Sequence, residues 1–189
     1  MAPTALTNLA LSGRLPECVV PAFFGASLIA LRKKDGGLRP IAVGSVYRRI
    51  AGKVTATAVS RGIGAQLRPA HLGVATRNGC EAAVHAVRAY TEACTAAEDS
   101  KILVKLDVSN AFNSVRRDSI MEAVKARAPT IYPLVWQGYR SAAPLFIGGD
   151  KILSRTGIQQ GDRLSSLLFS DSGPRCQSGQ HGDQCLVSG

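Results

Sequence analysis

The chain has 189 residues, which suits one domain, or one domain with a small second lobe. Hydrophobic residues make up 46% and charged ones 19%, which excludes a chain too polar to build a core. Lys and Arg number 23 against 13 Asp and Glu, and the formal charge of +10 favours a polyanionic partner, nucleic acid ahead of an acidic membrane surface. The one candidate for a membrane segment, Cys18 to Leu31, spans 14 uncharged residues and carries Pro21 and Gly25. Crossing a bilayer takes about 20 residues, so this run reads as core and no membrane partner is expected. Cys18, Cys80, Cys94, Cys176 and Cys185 are scattered and odd in number, with no secretory pattern ahead of them. They read as reduced thiols of an intracellular protein, nuclear or cytoplasmic.

Residues 1–19 form a lead-in with a turn or two of helix. Leu28–Lys34 and Leu38–Val43 are strand-like, and Asp35-Gly36-Gly37 between them signals a hairpin. Pro40 suits an edge strand. Arg32, Lys33, Lys34 and Arg39 crowd the hairpin tip, as a solvated turn or as a clamp for a phosphate chain. From Ser45 to about Gln66 the period turns helical, with Val46, Ile50, Val54 and Val59 as the apolar stripe and Arg48, Arg49, Lys53 and Arg61 off it. Gly62 and Gly64 weaken the end of this helix and Pro69 stops it.

Asn78, with Glu81 three residues on, is a capping-box pattern for a helix burying Val84, Val87, Tyr90 and Cys94. His85 in that helix has no metal-ligating neighbour at a useful spacing. Next comes the run Ile102–Phe112, where Ile102, Val104, Leu106 and Val108 fall on one face of a predicted strand. Lys105 and Asp107 share the other face, which sets a carboxylate at the strand's C-terminal end.

A helix is predicted near Asp118, burying Ile120, Met121 and Val124 and ending by Pro129, and a second from Thr130 to Arg140 turns Leu134, Val135 and Tyr139 inward. Leu145–Ile147 and Ile152–Ser154 pair across Gly148-Gly149-Asp150, and the glycine-bracketed turn Gly157–Asp162 enters an apolar helix, Leu164 to Phe169. Residues 170–189 are too polar to offset the entropy of ordering them. Cys176, His181 and Cys185 lack the Cys-x-x-Cys pair of a zinc site.

From about Leu28 to Phe169 these segments resemble, in order, the reverse transcriptase domain of non-LTR retrotransposons. Lys33–Ile41 is similar to its fingers hairpin, and Leu72-Gly73-Val74 through His85 to the segment leading into the palm. Leu106-Asp107-Val108-Ser109-Asn110-Ala111-Phe112 is similar to the first catalytic palm motif, and Gly157–Asp162 to the turn that touches template and nucleotide.

The resemblance implies an α/β (α+β) fold of right-hand polymerase type: fingers over residues 20–100 and a partial palm of antiparallel strands backed by helices over 101–169. It implies RNA-templated DNA synthesis from deoxynucleoside triphosphates on an RNA template and DNA primer, with Mg2+ or Mn2+ held by Asp107 and the backbone carbonyl of Val108. Lys33, Lys34 and Arg39 would meet the triphosphate and Phe112 would exclude a 2′ hydroxyl, although a plain core role for Phe112 stays open. Gln160 and Gly161 would line the nascent base pair. An RNA-copying viral-type palm shares the Asp and Gly motifs but fits Phe112 and Arg39-Pro40-Ile41 less well.

Three departures stand out. The family's next palm motif holds an adjacent Asp-Asp pair, and none occurs in these 189 residues. Arg163 and Ser166 stand where proline is usual, and the family pattern stops near Ser170. A single palm carboxylate cannot hold two cations, so the expectation is a reverse transcriptase fragment inactive by itself, with a non-catalytic basic fragment that binds RNA or RNA–DNA duplex as the alternative.

Overall fold

The computed structural model describes residues 2–34, 36–96, 103–105 and 107–172. The described residues divide between two compact units, one drawn from residues 2–59 and 110–172 and the other from residues 60–109.

In the first unit, helix α1 (Ala2–Leu11) turns the lead-in into ten ordered residues. Helix α2 (Val20–Phe24) follows, and then the hairpin of β1 (Ala26–Arg32) and β2 (Leu38–Gly44). Helix α5 (Ala111–Ser114) is a single turn, and α6 (Arg117–Arg127) and α7 (Tyr132–Tyr139) are joined by a 3₁₀ turn, Pro129–Ile131. A second hairpin, β3 (Ala143–Ile147) and β4 (Asp150–Ser154), precedes α8 (Ser165–Ser172).

The four strands form one sheet in the order β2-β1-β3-β4. Both hairpins are antiparallel, with Leu28 opposite Ala42 and Leu145 opposite Ile152. They are joined by a short parallel pairing, Ala26 with Leu145 and Ser27 with Phe146. The sheet as a whole is therefore mixed: the strands within each hairpin, β3 and β4 of the expected palm included, are antiparallel, and β1 and β3 run parallel where the hairpins meet. Pro40 lies on the edge strand β2, where its missing N–H costs no ladder bond. One face of the sheet buries Ala26, Ala42 and Ala143, while Ile29, Leu31, Val43, Phe146 and Leu153 alternate onto an exposed face.

The core beside the sheet is helical. Ile120 and Val124 of α6, Leu134 and Val135 of α7, and Leu167 and Leu168 of α8 are all buried, as the 3.6-residue period of these segments implies. Arg127 of α6 pairs with the buried carboxylate of Asp171 on α8. The buried Gln137 amide accepts from Leu15 N–H at 3.3 Å and donates to Leu15 O at 2.8 Å, which ties the chain after α1 to α7.

Helix α3 (Val46–Leu67) begins in the first unit and ends in the second, running through Gly62 and Gly64 to stop two residues before Pro69. Its buried face is not the expected stripe. Val46, Ile50 and Val54 are exposed, whereas Arg48, Ala51, Gly52 and Thr55 are buried, followed by Ile63 and Leu67. The spacing of 48, 51, 52 and 55 is as helical as the predicted one; small side chains make the close face, and a buried arginine brings its own partners.

In the second unit, α4 (Gly79–Ala96) starts directly after Asn78, whose carbonyl accepts from Ala82 N–H at 2.8 Å. Glu81 lies 3.9 Å from His85 one turn on. The stripe expected to be buried is at best half covered: Val84 and Tyr90 are exposed, Val87 and Cys94 intermediate.

The strand predicted over 102–108 is absent at the described positions. Residues 103–105, 107 and 108 have no regular secondary structure, and Leu103, Val104 and Val108 are 54%, 65% and 57% exposed. A strand persists only where a neighbour takes its backbone bonds and covers its apolar face, and no described segment pairs with this one. Ile102, Leu106 and Cys176, His181 and Cys185 lie outside the described residues.

A candidate nucleotide site built on the Gly157–Asp162 turn

The turn between β4 and α8 draws together three segments distant in sequence. At one end Ile158 N–H donates to Phe112 O at 2.7 Å. Gly157 has φ +66°, and a Cβ there would sit 2.3 Å from the Asn113 carbonyl, so the turn can lie against α5 only without a side chain. At the other end Ala42 N–H, on the outer side of the edge strand β2, donates to Gln160 O at 2.7 Å. Gly161 has φ +106°, and a Cβ would meet Ala42 O and the Ile41 side chain at 2.9 Å. One backbone bond thus holds the Gln160-Gly161 turn against the outer edge of β2.

Beneath the turn lies a buried polar cluster. The Arg48 guanidinium donates through Nη1 to Phe24 O at 2.5 Å and to Gln159 Oε1 at 2.5 Å, and through Nη2 it pairs with Asp162. Gln159 Nε2 in turn donates to Phe24 O at 3.3 Å. Asp162 uses its second carboxylate oxygen to accept Leu164 N–H at 2.8 Å, just ahead of α8. Both charges are deeply covered, with side chains 7% and 10% exposed, and each finds several partners, as burial of an ion pair demands.

Arg117 braces the other side of the turn. It donates to Gly157 O at 3.2 Å, Ser141 O at 3.2 Å, Ser154 O at 2.9 Å and Ser154 Oγ at 3.0 Å, with a longer contact to Tyr139 O at 3.4 Å. Burial lowers its pKa from the ordinary value. The Arg117 guanidinium lies 5.3 Å from the centre of the Tyr139 ring, which is buried. Burial, with Asp162 nearby, pushes the Tyr139 phenol well above its ordinary 10.0.

The sequence-predicted site residues fall into two groups. Phe112 is half-buried on α5 with its ring 4.9 Å from that of Phe169, so it has a core contact as well as its place beside the turn. Gln160 and Gly161 are the residues that dock on β2, and Arg39 is exposed two residues before Ile41 on that strand. Lys33 and Lys34 are exposed at the hairpin tip, where Lys33 N–H donates to Gly37 O at 2.7 Å. Asp107 and Val108, exposed and without regular structure, belong to the other unit.

A sequence profile described as reverse transcriptase (RNA-dependent DNA polymerase) matches residues 31–172. The chain belongs to the reverse transcriptase family. No match was found among curated proteins. The match spans the basic hairpin, the Asp107–Phe112 segment and the docked turn.

The family uses divalent metal ions. The described residues do not fit a pair of them. No three of their His, Cys, Asp or Glu side chains gather where an ion could sit. Asp162 and Asp171, the last two carboxylates among the described residues, are held by Arg48 and Arg127. Sequence reasoning missed Arg48, Gln159, Asp162 and Arg117 as supports of the site. The small-residue face Gly44, Ala51, Gly52 and Thr55 around Arg48 was the available signal, because a helix packs close where side chains are short.

Proposed function

We propose that this chain carries the nucleotide-facing half of a non-LTR-type reverse transcriptase, with fingers over residues 20–100 and part of a palm over 101–169. The observation that supports this best is the docking of the Gly157–Asp162 turn on β2 and on the turn of helix that bears Phe112. That docking sets Gln160 and Gly161 beside the strand that carries Arg39. In this reading Lys33, Lys34 and Arg39 neutralise the triphosphate of a deoxynucleotide, an interaction that strengthens as charge builds on the leaving group. Phe112 stands against a 2′ hydroxyl, and Gln160 and Gly161 face the nascent pair of RNA template and DNA primer. Asp107 is the one palm carboxylate supplied. With no second carboxylate pair in these residues, the chain by itself binds but does not polymerise.

Equilibrium binding to an RNA–DNA hybrid tests the reading. Each phosphate contact adds about −0.7 to −0.9 to the slope of log affinity against log salt. The Lys33→Ala, Lys34→Ala, Arg39→Ala triple variant should therefore bind more weakly and with a shallower slope. An unchanged slope contradicts the assignment of the hairpin to phosphate.

The alternative, a non-catalytic RNA or RNA–DNA-binding fragment, predicts the same hybrid binding. It differs in predicting no gain when a deoxynucleoside triphosphate matching the template is added.

A further inference from the structure

On the first unit, an open cleft of about 490 Å3 lies between α6, α7 and the strand ends. Arg117, Arg140, Arg155, Asp118, Met121 and Trp136 are among its lining residues, and none of them is assigned a part in the site above except Arg117 as a brace. The volume falls within the range of small-molecule sites and far exceeds what a lone anion needs.

Its charge is lopsided. Three guanidinium groups face one carboxylate, Asp118, and that carboxylate already lies 3.3 Å from Arg116. The three arginines are not equivalent. Arg117 spends its donors on carbonyls and a hydroxyl and contributes field rather than free bonds. Arg140 stacks 4.4 Å from the centre of the Trp136 ring and pairs with Glu17, an exposed side chain. Arg155 is exposed and pairs with no described residue, which leaves a full set of donors for a ligand.

An exposed indole beside such donors offers a planar apolar surface next to a site for charge. Trp136 is 40% exposed although it belongs to a helix whose other large side chains are mostly covered. A planar base with an attached phosphate satisfies both features: the ring lies against Trp136, and the phosphate takes charge-assisted bonds from Arg155 and from Arg140 once Glu17 gives way.

We propose that the cleft lined by Arg117, Arg140, Arg155 and Trp136 binds one nucleotide unit through its phosphate and its base, either a free nucleotide or the end of a single strand. Glu17 acts as a resident competitor for Arg140. The site stands apart from the basic hairpin and does not depend on how that hairpin is used.

Trp136 is the only tryptophan in the chain, so its emission reports the cleft without background. The experiment is a fluorescence titration of the full chain with AMP, with adenosine, and with a short oligo(dA) lacking terminal phosphates. The expected result is saturable quenching by AMP, sensitive to salt, and far weaker with adenosine. Quenching by oligo(dA) as well assigns the ligand to a strand, and quenching by AMP alone assigns it to a free nucleotide.

Arg155→Ala removes an exposed, unpaired side chain, so folding is not at stake, and it should weaken AMP about tenfold or more, the equivalent of one charge-assisted bond. Glu17→Gln should tighten AMP binding. The proposal is overturned by no quenching with any probe, by equal response to AMP and adenosine, or by equal AMP affinity in wild type and Arg155→Ala. It is also overturned if the Lys33→Ala, Lys34→Ala, Arg39→Ala variant abolishes the signal while Arg155→Ala leaves it, since the ligand then sits at the hairpin.

Discussion

The turn at Gly157–Asp162 and the segment at 103–108 both carry motifs of the same family, yet they are built in opposite ways. The turn is pinned at each end by backbone bonds to Phe112 and Ala42, floored by Arg48, Gln159 and Asp162, and braced by Arg117. The segment around Asp107 has exposed Leu103, Val104 and Val108 and no strand neighbour among the described residues. The difference teaches that a motif becomes a site only when the chain also supplies what the motif packs against. Every partner of the turn lies within the same unit, whereas an apolar strand without a paired neighbour gains nothing by staying extended.

The sharpest way to break the comparison is to remove the floor of the turn. Arg48→Ala leaves the Asp162 carboxylate buried without its cation and should cost about 3–5 kcal/mol in urea denaturation. The neighbouring exposed Arg49→Ala should stay within about 0.5 kcal/mol. Similar losses for the two would mean that the Arg48 cluster supports nothing.

Gly161→Ala comes next. It demands φ +106° of a side-chain-bearing residue and drives a Cβ to within 2.9 Å of β2, so a loss of about 2–4 kcal/mol is expected from strain and displacement together. Gly36→Ala, at φ +84° with nothing within 4 Å, should lose only about 1 kcal/mol. Comparing the two in the same denaturation assay separates backbone strain from the contact with β2.

A smaller effect is expected at alkaline pH. The folded chain holds the Tyr139 proton to a pH above the ordinary 10.0, so the native state binds more protons than the unfolded one there. Stability from this group is complete below about pH 10 and falls as pH rises beyond it. Thermal melts across that range should show the decline in wild type and a flatter profile in Tyr139→Phe. An unchanged profile would place the alkaline loss elsewhere.

The smallest effect belongs to the other region. Asp107→Ala removes an exposed side chain without regular structure around it and should leave the melting temperature unchanged. A marked loss would show that Asp107 is structurally engaged after all.

What could be read from the sequence follows the same division. The two hairpins and helices α6 and α7 were legible because Gly-rich turns and helical spacing act over a few residues. The face of α3 was not, because burial of Arg48 depends on Gln159, 111 residues away, and on Asp162. Apolar periodicity alone chose Val46, Ile50 and Val54 instead. The docking of Gly161 was half legible: its glycine signalled close approach, but nothing local named β2 as the surface approached. The strand at 102–108 was over-read, since alternation predicts which face would be buried and not whether a partner exists to bury it. The arginine-lined cleft left no motif, because Arg117, Arg140, Arg155 and Trp136 meet only through the packing of α6, α7 and β4.

Primer extension on an RNA template, with Mg2+ or Mn2+ and the purified chain beside Asp107→Ala, tests the central claim most directly. The account predicts hybrid binding in both proteins and extended product in neither. Product that forms with the wild-type chain and vanishes in Asp107→Ala would contradict it, by showing that Asp107 works with a second carboxylate already present in these 189 residues.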